Sequence, residues 1–136
     1  MDAVTKSSNT GDESKTFFSY AHADSKFTLK LVEALRSASI NVWLDELDIP
    51  PGVRWDDAIQ GALENSPRVL VVLSPASASS DNVKDEISLA LDTQKSVIPI
   101  LLKDCTIPLR IRRFQHIDFR ADYENALKRL IQALKQ

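Results

Sequence analysis

The chain has 136 residues, enough for one domain with a single core and too short for two comfortable ones. Apolar residues make up 43%, charged residues 26%, and the formal net charge is −2, which excludes the strongly basic surface of a nucleic-acid-binding protein. The one cysteine, Cys105, excludes an intrachain disulfide and suits a reducing cytoplasm.

The first 15 residues, MDAVTKSSNTGDESK, are polar and have no apolar centre. They read as a disordered tail or the end of a linker, not as a secretory signal. A folded domain is expected over 16–136. TFFSY (16–20) is an apolar and aromatic run, hence strand one. From Ser25 to Ala38 a helical stripe carries Phe27, Leu31, Ala34, Leu35 and Ala38. INVWL (40–44) is strand two. DELDIPPG (45–52) follows, where two prolines and a glycine forbid regular structure. A second helix is expected over 55–65, with Trp55, Ile59 and Leu63 on one face. RVLVVL (68–73) is strand three, and SPASASSD is a loop. DNVKDEISLALD (81–92) is a third helix, with the stripe Val83, Ile87, Ala90 and Leu91. SVIPILL (96–102) is strand four, with an irregularity expected at Pro99, which cannot donate a ladder hydrogen bond. HIDF (116–119) is strand five, and the last helix covers 122–135.

Strict alternation of strands and helices predicts an α/β fold with a parallel sheet covered on both faces. Five strands suit a flavodoxin-like single domain with strand order 2-1-3-4-5. Ligands in such sheets bind beyond the carboxyl ends of the strands, where the order reverses between strands one and three. The loops YAHAD and SPASASSD meet there. Glu86, near the start of the third helix, is therefore expected beside a site.

The longest apolar runs, VLVVL and VIPILL, fall far short of the roughly 20 residues of a membrane span. Three glycines, Gly11, Gly52 and Gly61, cannot build a dinucleotide-binding turn or a P-loop. A phospho-accepting receiver would need an acidic pair after strand one and an aspartate ending strand three. Here only Asp24 follows strand one, and strand three ends in Leu73-Ser74-Pro75. His22, His116 and Cys105 are scattered, so no metal site is expected. The serines lack a nucleophile elbow. At about 100° per residue, Glu86 lies roughly 80° from the centre of its helix stripe. That is the border between core and solvent. On helix geometry alone an ordinary surface carboxylate is the favoured reading, although a border carboxylate in a cleft can also have a tuned pKa.

FFSYAHAD, VWLDELDIPPGVRW, VLVVLSPASASSD leading into VKDEISLAL, and SVIPILL with FQHIDF together resemble a Toll/interleukin-1 receptor (TIR) domain, most of all its bacterial members. The resemblance covers about residues 16–135. It implies one of two activities. Some members are non-enzymatic adaptors or mimics of adaptors, acting through contacts with like domains. Others cleave NAD between nicotinamide and ribose, in immune-type signalling, using one glutamate in the helix after strand three. By motif that glutamate is Glu86. Weaker substrate-pocket candidates are Tyr20, Trp43, Asp45, Trp55 and Ser74. The loop after strand two, with Leu47, Ile49, Pro50, Pro51 and Gly52, corresponds to an assembly loop. Four residues before the glutamate the family usually has tryptophan; this chain has Asn82. An aromatic there is associated with stacking on the substrate and with cyclisation of the product.

The expectation drawn from the resemblance is a cytoplasmic NAD glycohydrolase switched on by self-association. NAD would be substrate, with no cofactor and no metal. The partners would be like domains and sensor domains, with no nucleic acid and no membrane. A lone carboxylate suits this chemistry. Nicotinamide leaves a cationic pyridinium as a neutral base, so no acid has to protonate it, and the ribosyl cation resembles that of glycoside hydrolysis.

Overall fold

The computed structural model describes residues 15–45, 51–52 and 54–135. The polar tail up to residue 14 lies outside them, as do Leu47, Ile49 and Pro50 of the expected assembly loop. In chain order the elements are β1 (Thr16–Ser19), α1 (Ser25–Ser37), β2 (Val42–Trp43), α2 (Trp55–Glu64), β3 (Arg68–Leu73), a single turn α3 (Pro75–Ala78), α4 (Asp81–Asp92), β4 (Ser96–Leu101), β5 (Ile117–Asp118) and α5 (Tyr123–Leu134). Short 3₁₀ turns cover His22–Asp24 and Leu109–Ile111. The five strands form one parallel sheet in the order β2-β1-β3-β4-β5, as the alternation predicts.

Strand pleating divides the core in two. Phe17, Val69, Val71 and Leu73 point to one face, where they meet Ala62 and Leu63 of α2 and Val83, Ile87 and Ala90 of α4. Phe18, Leu70 and Val72 point to the other, against Leu31, Val32 and Leu35 of α1 and Ala126, Leu130 and Leu134 of α5. A central strand covered on both faces has no solvent side, so β3 is apolar almost without a break.

Two local expectations need correction. SPASASSD is not all loop, because Ser74 to Ala78 start a helical turn. The Ser74 hydroxyl accepts from Ser77 N (3.1 Å), the Ser77 hydroxyl accepts from Ser74 N (3.0 Å), and Pro75 occupies the first helical position. A serine cap, a proline and a second serine satisfy the donors at the start of a turn. The irregularity expected at Pro99 is also absent. The β3–β4 register runs unbroken from Arg68↔Ser96 to Leu73↔Leu101, through Val71↔Pro99. The reason is the shortness of β5, which pairs only with Ile100 and Leu101. Pro99 is thus flanked by a strand on one side only, the partial edge where proline is tolerated.

Candidate functional site

Ser19 ends β1, the strand between β2 and β3, Tyr20 follows it directly, and successive side chains of extended chain point to opposite faces. Ser19 follows Phe17 toward the α2–α4 face, and Tyr20 follows Phe18 toward the other. Each holds a carboxylate. The Ser19 hydroxyl donates to Glu86 Oε1 at 2.5 Å. The Tyr20 hydroxyl donates to Asp45 Oδ1 at 2.6 Å. Ser19 is fully buried, so its hydroxyl requires a partner to offset lost hydration.

Glu86 reaches this position because α4 packs on the sheet through Val83, Ile87 and Ala90. The helix is started by Ser80, whose hydroxyl accepts from Val83 N at 3.2 Å. Glu86 stands beside the apolar stripe and is half-buried. Its pKa is raised to about 7, mainly by desolvation, with smaller contributions from the negative charges of Asp45 and Asp85, while the Ser19 hydrogen bond acts the other way.

Glu86 lines a cleft of about 910 Å³, a volume typical of small-molecule sites. Tyr20, Ala21 and His22, from the segment after β1, form one wall, with Asp45 from the end of β2. Trp55, Asp56, Ile59, Gln60 and Leu63 of α2 form the second. The third is the start of α4, with Ser80, Asn82, Asp85, Glu86 and Leu89. The helical stripe Trp55–Ile59–Leu63 runs from the cleft mouth inward. Trp55 is 54% exposed, Ile59 is half-buried and Leu63 is 1% exposed. Among the described residues the lining has the carboxylates of Asp45, Asp56, Asp85 and Glu86 and no lysine or arginine.

Five of the residues singled out in the sequence therefore meet at one cleft: Tyr20, Asp45, Trp55, Asn82 and Glu86. Two do not. Ser74 is buried, caps α3 and donates to a carboxylate oxygen of Asp24. Trp43 stacks on Phe17, with ring centroids 5.2 Å apart and planes 9° from parallel. Pro51 and Gly52 are exposed and form a turn, with Gly52 at φ +86°, a conformation side chains rarely adopt. They are not among the described residues lining the cleft. The cleft takes Tyr20, Ala21 and His22 from the loop after β1 and Ser80 from the loop after β3, and extends over α2. Ser19, Gln60 and His22 were not expected in site roles. The signal for Ser19 was the parity of β1, which turns a polar residue inward next to Phe17. Among the described residues no group of three potential ligands could hold a metal ion, and no helix is long and apolar enough to cross a membrane.

The family model described as TIR domain matches residues 16–131. The chain is similar to the uncharacterized protein y4cD of Sinorhizobium fredii, 29% identical over 123 residues, which are 83% of this chain and 19% of that protein. It is 27% identical over 94 residues to the protein named Probable 2' cyclic ADP-D-ribose synthase BdTIR of Brachypodium distachyon, covering 66% of this chain and 42% of that one. Among solved structures, the TIR domain of the Toll-related receptor TRR-2 from Hydra magnipapillata superposes with a TM-score of 0.79 at 26% identity, over 89% of this chain and 98% of the other. The chain thus spans less than half the length of the two curated relatives.

Proposed function

The chain belongs to the TIR-domain family, and on that premise we propose that it is an NAD glycohydrolase with Glu86 as its catalytic carboxylate. One observation carries this reading. Glu86 is a desolvated carboxylate on the wall of a cleft large enough for a nucleotide, held from behind by a buried hydroxyl. Similarity to the Brachypodium protein named Probable 2' cyclic ADP-D-ribose synthase supports a nucleotide substrate for the cleft.

In the reaction, the bond between ribose C1′ and the pyridinium nitrogen breaks and its electron pair passes to the ring. Nicotinamide leaves neutral. Positive charge develops on the ribose, where the second oxygen of Glu86 stabilises it. Water adds to C1′ and gives up a proton. A carboxylate with a pKa of about 7 can accept that proton near neutral pH. Asp45, Asp56 and Asp85 add negative potential, which favours the cationic nicotinamide end of NAD over a neutral analogue. Trp55, largely exposed at the mouth, offers a face for ring stacking.

TIR domains commonly self-associate, and activity switched on by assembly through the loop after β2 is part of the proposal. So is a role in immune-type signalling. The competing reading is a non-enzymatic module acting through like-domain contacts. It is favoured by Asn82, a polar residue on the cleft wall where the resemblance leads one to expect an aromatic. Incubation at high protein concentration with NAD, followed by chromatography for free nicotinamide, separates the two. Release with turnover supports the enzyme. No release at any protein concentration supports the module.

A further inference from the structure

We propose that Ser19 is a positioning residue for Glu86, fixing which carboxylate oxygen faces the cleft and keeping that carboxylate charged. This rests on the NAD-cleaving reading above. Ser19 has no exposed surface and does not line the cleft, so it cannot act by touching substrate. It sits at the end of β1, paired with β3 opposite Val71, and its full burial leaves it little freedom to move. Its neighbours on the same face, Phe17, Val71 and Leu73, are apolar. A hydroxyl there is costly to bury without a partner, and its partner is Glu86 Oε1 at 2.5 Å. That separation is in the short range of hydrogen bonds between a hydroxyl and a charged carboxylate.

The bond from Ser19 is the only hydrogen bond of the Glu86 side chain among the described residues. With Oε1 tied down, Oε2 is the oxygen left to meet a reacting ribose. Ser19 is also the one contact that opposes the rise in the Glu86 pKa. Around Glu86 stand Asp45 at the end of β2, Asp85 on α4, Asp56 on α2, and Tyr20 and His22 after β1. Asp45 and Asp85 push its titration upward. Removing the hydroxyl leaves burial and these charges unopposed, so the carboxylate should hold its proton to higher pH.

The test is Ser19→Ala, with two measurements. The first is titration of the Glu86 carboxyl carbon by NMR in glutamate-labelled protein, its signal assigned by its loss in Glu86→Gln. The second is the pH profile of kcat for nicotinamide release. We expect the titration midpoint and the acid limb of kcat to move up together by about one pH unit. At pH 7, kcat should fall about fivefold, with much of the loss recovered at high pH, while KM stays within about threefold. An unmoved midpoint, a kcat profile superimposable on that of the wild type, or a rise in KM alone would overturn the proposal. If Ser19→Ala does not fold, Ser19→Cys, which keeps the volume but donates weakly, replaces it with the same expectations. A wild type that releases no nicotinamide would refute the enzymatic reading, and the NMR titration would still show whether Ser19 governs Glu86.

Discussion

At Glu86, stability and reactivity pull in opposite directions. The pKa is raised from an ordinary 4.5 to about 7, mainly by desolvation. The folded protein therefore holds this proton more tightly than the unfolded chain does. Any stability from that preference is present in full below about pH 4.5 and lost as pH rises to about 7. Above that pH the charged carboxylate costs the fold free energy. Glu86→Gln should therefore be more stable than wild type at pH 8, by about 1–3 kcal/mol, and no different near pH 4. Urea unfolding at the two pH values checks this, and equal stability at both would contradict it. The sequence placed Glu86 on the border of the core because its angle from the helix stripe can be counted. It could not show Ser19 as the partner, since 67 residues separate the two. Ser74, a weaker pocket candidate, does not line the cleft. That residue is buried against Asp24, in a cap whose pattern of serine, proline, alanine and serine is legible in the sequence. Ser74→Ala should lower stability by about 2 kcal/mol, since it removes a cap and strips a buried carboxylate of a donor. Thermal unfolding measures that loss.

At the scale of elements, the site depends on α2 and α4 packing side by side on one sheet face while Trp55 and Asn82 of their first turns stay exposed at the cleft. Leu63 and Ile87 are buried, whereas Trp55 and Asn82 are exposed. This gradation was partly legible. The stripes of both helices follow from their spacing, and the bounds Asp81–Asp92 agree with the sequence reading. The depth to which each stripe is buried depends on strand length, which local pattern does not set. Strands two and five illustrate this, for Ile40–Leu44 and His116–Phe119 are β-rich but pair only over Val42–Trp43 and Ile117–Asp118. Asn82 sits in the first turn of α4 on the cleft wall. Asn82→Trp should bring an aromatic face to the substrate, where stacking on a base is worth about 1–3 kcal/mol. We expect a lower KM for NAD or a larger share of cyclic product. Unchanged kinetics and products would show that position 82 does not meet substrate.

At the scale of the whole molecule, strand order and helix placement follow from simple rules. Alternating elements make a parallel sheet, and right-handed crossovers put helices on both faces. The reversal of order beside β1 then opens the cleft. Assembly is less legible, because a surface between copies leaves no periodic mark in one chain. The loop after β2 does combine Leu47 and Ile49 with acids and two prolines. If head-to-tail contacts switch the enzyme on, specific activity should rise across a hundredfold concentration series. Ile49→Asp should flatten that rise without changing the circular dichroism spectrum. A flat series for the wild type would remove assembly from the account. The central claim is that Glu86 carries out NAD cleavage in this cleft. Its most direct test is nicotinamide release by wild type and Glu86→Gln, measured side by side at high protein concentration and pH 8, with unfolding curves taken on the same samples. The account predicts turnover by the wild type and a loss of at least about 100-fold in the variant, which should be folded and no less stable. Equal nicotinamide release by the two proteins would contradict it.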